Sequence, residues 1–279
     1  MKEEKTNMEK KLIDIDLVFA SKNPGLYKVF PKIILRFLKK IVHQDGINEF
    51  IETHKHLTGI DYAEAIIKRF GAKYTIVGKE NIPAKGRFIF ASNHPLGGLD
   101  GMALLSAVGR IHPNIKFPVN DILMSLENLK SIFIPINKHG GHSREAARIL
   151  ETSYASEAQI LMFPAGLVSR KIKGKIIDLE WKKNFVKKAI QHKRDIIPVH
   201  ISGHNSHFFY NLANLRKKLG IKANIEMLFL PDELFKERIK EITITFGQPI
   251  SWETLASGGS PRDWAQKIKD QAYALTKIN

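Results

Sequence analysis

The segment FIFASNHPLGGLDGMALL, residues 88–105, sets a histidine and an aspartate, His94 and Asp100, at the two ends of a glycine-containing turn. An imidazole titrates near neutrality and can take a proton from a hydroxyl. A carboxylate on its other nitrogen would fix the tautomer and stabilise the imidazolium that forms. Gly97 and Gly98 let the chain turn tightly between the two, and can present backbone N–H groups to an anion. A helix-capping aspartate and a structurally bonded histidine would use the same residues, so the pair alone does not establish catalysis.

A second cluster follows in LMFPAGLVSRKIKGK, residues 161–175, where an apolar run enters a turn shaped by Pro164 and Gly166 and leads to Ser169, Arg170, Lys171, Lys173 and Lys175. Backbone N–H groups beside a fork-shaped guanidinium suit a phosphate or carboxylate head group, although a solvated basic loop has the same composition. The run HISGHNSH offers His200, His204 and His207, but without a carboxylate or the His-Glu-x-x-His spacing, so no metal site is expected. Absent too are cysteine, a Gly-x-Ser-x-Gly elbow and the glycine-rich nucleotide loops. Thiol nucleophiles, common serine hydrolases and nucleotide-dependent chemistry are thereby unsupported.

The elements that must carry these groups alternate. Short β-rich runs lie at 74–78, 87–92, 115–119, 131–136, 159–164, 195–202, 225–230 and 241–247, with helical patterns at 101–108, 143–153, 181–192 and 261–277. That order predicts an α/β domain around a largely parallel or mixed central sheet flanked by helices, over residues 61–279. Both reactive clusters then fall at strand ends, where open α/β sheets bind ligands.

Residues 1–60 read differently, as an N-terminal amphipathic helical segment. Across residues 24–44, Leu26, Val29, Phe30, Ile33, Ile34, Phe37, Leu38 and Ile41 gather on one side at 100° per residue, and Lys28, Lys32, Arg36, Lys39 and Lys40 on the other, with a kink expected at Pro31. A helix docked on its own domain shows such a stripe; the cationic polar face favours an anionic membrane surface. No apolar window is long enough to span a bilayer and the N-terminus does not read as a signal peptide, so the expected contact is peripheral. A net charge of +16 implies an anionic partner of some kind. A nucleic-acid-binding protein is the rival, but no zinc-finger or RNA-binding signature accompanies the charge.

Together NHPLGGLD and FPAGLVSR, with SIFIPINK between them and IIPVHISGHNS after them, resemble the glycerolipid, or lysophosphatidic acid, acyltransferase superfamily. The resemblance covers roughly residues 74–206. This sequence departs from the family pattern in three places. Five residues separate His94 from Asp100, one more than usual; Ala165 stands where the family has Glu; and Val168 stands where Arg is frequent. In these details the chain is more similar to the hemolysin-like bacterial branch, which includes enzymes acylating lyso-amino-acid lipids.

The resemblance implies an O-acyltransferase of membrane lipid biosynthesis on the cytoplasmic face of the membrane, with no cofactor. His94 would deprotonate the hydroxyl of a lysolipid, lysophosphatidic acid or a lyso-amino-acid lipid, and Asp100 would orient His94. The acyl donor would be an acyl-carrier-protein or coenzyme A thioester. Ser169 and Arg170 would hold the acceptor head group with help from Lys138 and Arg144, while Asn93, Gly97, Gly98, Pro164 and Gly166 would line the substrate site. An inactive relative that only binds lipid is the alternative raised by Ala165 and the lengthened turn.

Overall fold

The computed structural model describes residues 13–22, 24–29, 31–136, 143–236 and 241–277. The chain forms two compact units, Met1–His56 and Leu57–Asn279. The division falls just before a helix at Gly59–Arg69, which opens the second unit.

The first unit contains helices α1 (Ile15–Lys22), α2 (Pro24–Val29), α3 (Lys32–Ile41) and α4 (Gln44–Thr53). The kink expected at Pro31 is a break: Pro31 is extended, with φ −59° and ψ 130°, and caps α3. Phe30, and the side chains of Leu26 and Val29, lie outside the described residues. Along α3 the apolar stripe is divided. Leu35, Leu38 and Ile41 are buried, whereas Ile33 and Phe37 are 73% and 56% exposed among the exposed Lys32, Arg36 and Lys40. Lys39 pairs with Asp16.

The second unit opens with α5 (Gly59–Arg69) and is built on a seven-stranded sheet: β1 (Lys73–Val77), β2 (Phe88–Ser92), β3 (Ile115–Val119), β4 (Phe133–Pro135), β5 (Gln159–Met162), β8 (Asp195–Ile201) and β9 (Glu241–Phe246), in the order β1-β9-β8-β2-β5-β3-β4. A separate hairpin joins β6 (Arg170–Ile172) to β7 (Lys175–Ile177). The helices are α6 (Gly98–Gly109), α7 (Ser143–Ala155), α8 (Asn184–His192), α9 (His207–Lys218), α10 (Leu230–Phe235), α11 (Trp252–Ser257) and α12 (Pro261–Ala274). The sheet is mixed: β8, β2, β5, β3 and β4 are parallel, β9 runs against β8, and β1 follows β9.

Its centre is β2, whose five residues are all buried, as a strand covered on both faces requires. On one face Ile89, Ala91, Ile160 and Ile196 pack with residues of α8, α11 and α12 such as Phe185, Leu255 and Ile268. α6 is buried from Leu99 to Gly109, the pattern of a helix apolar on every side, and packs on α5. A Cβ on Gly109 would stand 2.6 Å from Ile60, so glycine permits that close approach.

One expected strand is not formed. Residues 225–230 make a 3-10 turn, Ile225–Phe229, that runs into α10. Pro231 in the first turn of α10 suits a helix start and cannot donate to a ladder, and Glu226 is drawn inward to two guanidinium groups.

Candidate active site

Parallel pairing of β8, β2 and β5 brings the loops after their C-terminal ends to the same edge of the sheet, which is why blocks far apart in sequence meet. The loop after β2 carries His94; its Nδ1 lies 3.0 Å from Asp100 Oδ2. Asp100 is fully buried in the first turn of α6. Its Oδ2 also accepts the backbone N–H groups of Leu96 at 2.8 Å and Gly97 at 3.2 Å, and its Oδ1 that of Gly101 at 2.8 Å. Gly97 closes the turn with a φ of 90°, which an L side chain rarely adopts. An acceptor carboxylate on Nδ1 makes that nitrogen the donor and leaves Nε2 as the basic one.

The imidazole is held from the side by Phe163, which stacks on it with a 3.9 Å centroid separation and 12° between planes. Behind it, the His94 carbonyl accepts the Ser169 N–H at 2.7 Å, and the His94 N–H donates to Asp178 Oδ1 at 3.3 Å. Asp178 is a buried node: it accepts the Ser169 hydroxyl at 2.5 Å and Trp181 Nε1–H at 2.9 Å, while its own amide donates to Tyr273 Oη at 2.8 Å. Burial raises the Asp178 carboxyl above the usual carboxylate range, against the pull of the Ser169 and Trp181 donors.

The structure places the other expected site residues as follows. Asn93 is buried, and its carboxamide clamps Ile201 of β8, accepting the N–H at 2.7 Å and donating to the carbonyl at 2.9 Å. Gly98 is exposed at the start of α6. The Pro164 carbonyl accepts the Lys182 N–H at 3.1 Å, and the Gly166 N–H is taken by Phe163 O at 2.9 Å. Ser169 and Arg170 are buried and face into the protein. Arg170 Nη2 donates to the fully buried Glu226 at 2.8 Å, which also takes Arg216 Nε at 2.5 Å, and Arg170 Nη1 donates to Val168 O at 2.9 Å. Arg144 is exposed in the first turn of α7, and Lys138 lies outside the described residues.

The two substituted family positions are both packing positions. Ala165 joins the core cluster with Trp181 and Ile89, and Val168 packs with Phe209 and Tyr210. His200 lies within β8 against the Tyr273 ring, and burial pushes it down to about 4, whereas His204 Nδ1 is bonded to Asn205 O at 2.9 Å. Phe163, Asp178, Trp181 and Lys182 were not singled out by sequence reasoning. Lys182 stands over the turn, its ammonium 2.7 Å from where a Cβ on Gly166 would be.

A histidine and a buried carboxylate in contact at a strand end, beside a basic turn, are what proton transfer from a hydroxyl requires. An acyltransferase family profile matches residues 17–278, both loops included. The chain belongs to this acyltransferase family. Among its relatives, the lyso-glycine lipid O-acyltransferases of Bacteroides thetaiotaomicron and Phocaeicola vulgatus are 49% and 48% identical to it over 265 residues, which is 95% of this chain and 97% and 95% of theirs. The solved 1-acyl-sn-glycerophosphate (LPA) acyltransferase PlsC of Thermotoga maritima is 16% identical, with a TM-score of 0.49 covering 88% of this chain and 97% of that one. The chain is an acyltransferase, and the family match runs through the second unit to residue 278.

Proposed function

We propose that this acyltransferase moves a fatty acyl group from an acyl thioester to the hydroxyl of a lyso-amino-acid lipid, with a lyso-glycine lipid as the leading acceptor. The observation that carries the chemistry is the 3.0 Å contact between His94 Nδ1 and the buried Asp100. The acceptor comes from the two relatives of near-full-length similarity, both lyso-glycine lipid O-acyltransferases. Nε2 of His94 takes the hydroxyl proton as the oxygen attacks the thioester carbonyl; the C–O bond forms, the C–S bond breaks, and the proton passes to the departing thiolate. Asp100 holds the imidazole through this cycle and offsets its transient charge. The N-terminal end of α6, at Gly98, is where backbone N–H groups can meet the oxyanion.

Acyl-carrier protein and coenzyme A both present the anionic surface that a net charge of +16 attracts. Lys182, whose ammonium lies beside the Gly166 turn, adds positive charge next to that loop for an acidic head group, and Arg170, turned inward to Glu226, positions the loop from behind. Ile33 and Phe37, exposed among lysines on α3, suit peripheral contact with the cytoplasmic face of a membrane. Among the described residues no helix is long and apolar enough to cross one.

Labelled-acyl transfer by the purified protein tests the reading. Acyl-carrier protein and acyl-CoA thioesters are offered against lyso-glycine lipid and lysophosphatidic acid, with H94A as control. His94-dependent acylation of lyso-glycine lipid is expected; turnover of lysophosphatidic acid alone overturns the acceptor assignment.

A further inference from the structure

The second unit has an exposed apolar face of its own. On α9, Phe208, Leu215 and Leu219 are separated by seven and four residues and so share one stripe of the helix and its end. They are 50%, 53% and 65% exposed. Ile221 in the following turn and Leu228 in the 3-10 turn packed beside α9 are exposed as well. The opposite side of α9 is anchored: Phe209, Tyr210 and Ala213 are buried, and the Arg170 guanidinium lies over the Phe209 ring at 5.6 Å. Through that contact the β6–β7 hairpin packs on α9, adding exposed Ile172, Lys173 and Lys175.

Within α9, the turn after it and the hairpin, the charge has one sign; acids enter only at the Phe208 end, where Lys236 over that ring pairs with Asp232 and Glu233. Residues 207–224 contain Arg216, Lys217, Lys218 and Lys222 and no Asp or Glu, and residues 170–177 contain Arg170 and three lysines, again with no acid. Lys217, Lys218 and Lys222 are exposed. Protein interfaces draw their energy from Trp, Tyr and Arg and are poor in Lys. Aliphatic side chains ringed by lysines instead match the acyl boundary and anionic head groups of a bilayer.

We propose that the outer face of α9, with the tip of the β6–β7 hairpin, is a second membrane-contact surface of this enzyme, located on the catalytic unit and seated on anionic lipid. α9 starts directly after the loop at the C-terminal end of β8, and the hairpin starts at Arg170, so both elements issue from the loops that surround His94. Contact there would bring the mouth of the site to the depth at which a lysolipid hydroxyl lies. The proposal rests on the lipid-acceptor reading for its purpose, but its test does not need turnover.

The test uses the full chain and vesicles of phosphatidylcholine with or without phosphatidylglycerol, read by co-sedimentation. L215S/L219S and K217E/K218E/K222E are compared with the parent in a background carrying I33S/F37S, so that residual binding is not that of α3. Each set is expected to weaken binding to phosphatidylglycerol vesicles by about tenfold or more, the first through lost apolar burial and the second through lost attraction to the anionic surface. Turnover of micelle-presented lysolipid should stay within about twofold, since both sets lie outside the catalytic machinery. Unchanged vesicle binding in either set overturns the proposal, as does a parent dimer that L215S/L219S converts to monomer. Weakened vesicle binding in a protein that acylates no lysolipid would uphold the surface while removing the acceptor assignment.

Discussion

The backbone amide of Ser169 donates to the backbone carbonyl of His94 across 2.7 Å. This bond ties the loop after β5 to the loop after β2 at the residue that carries the imidazole. Asp178 makes the tie double, since one of its carboxylate oxygens accepts both the His94 N–H and the Ser169 hydroxyl. His94 is therefore fixed from two directions: its ring by Asp100 and Phe163, its backbone by Ser169 and Asp178.

Removing the base should remove the chemistry. H94A is expected to lower kcat by about 10²–10⁴, the range general-base catalysis supplies. Because the imidazole is partly exposed and its main-chain bonds persist, the melting temperature should change little. Thiol release from an acyl thioester reads the rate; an H94A rate within a few-fold of the parent would falsify the assignment.

Asp178 is expected to act through His94. D178N keeps an acceptor for Ser169 and His94 but turns an amide N–H₂ towards Trp181 Nε1–H, so two donors face each other. The neutral amide also relieves the burial that raises the carboxyl, which limits the stability loss. The expected result is a kcat reduced about tenfold, or about 1.4 kcal/mol, with the acceptor KM little changed. A lowered melting temperature with intact kcat would make Asp178 a purely structural residue.

Arg170 gives the opposite signature. R170M leaves Glu226 with Arg216 alone in a fully buried setting, and losing one charged hydrogen bond there costs about 1.5–3 kcal/mol. Urea denaturation should show that loss, while the folded variant retains its acceptor KM. A raised KM at unchanged stability would return Arg170 to direct head-group binding.

What was legible in the sequence was local. β2 and α6 were readable because a buried strand is a short apolar run and its turn contains His94, Gly97 and Asp100 in one block. The β6–β7 hairpin was hidden in a lysine-rich stretch that reads as solvated loop, and α9 by the Gly203 and Asn205 that precede its Ser206 cap. Residues 225–230 read as a strand because apolar composition does not reveal that Glu226 is drawn inward by two arginines distant in sequence. The Arg170–Glu226 pairing is hidden for the same reason: a guanidinium beside a turn reads as an anion seat, and its buried partner lies 56 residues on. Asp178 carries no local signal, since its link to His94 is made through a backbone N–H 84 residues away.

Restoring the family's glutamate should harm this protein. Ala165 is 4% exposed, packed with Trp181 and Ile89. A165E must overpack that cluster or bury a carboxyl, at a cost of about 2–4 kcal/mol. For a unit of this size the melting temperature should fall by roughly 5–10 °C. A variant as stable as the parent and more active would show that the turn can redirect a longer side chain to the substrate.

His200 should make the fold sensitive to mild acid. Burial lowers it from 6.5 to about 4, so between those values the unfolded chain binds a proton that the native state refuses. Stability is then complete above about pH 6.5 and is lost progressively as pH falls towards 4, by about 3 kcal/mol in total. Asp178, raised by burial, works the other way, because its native carboxyl gains a proton before the unfolded one does. H200F separates the two: it keeps a ring against Tyr273, cannot titrate, and leaves Asp178 as it was, while any packing cost it carries is the same at every pH. Denaturant midpoints measured from pH 7 to pH 4 should show the parent losing stability relative to H200F across that window. A parent-to-variant difference that stays flat would mean that water reaches His200 and that its burial does not govern the acid response.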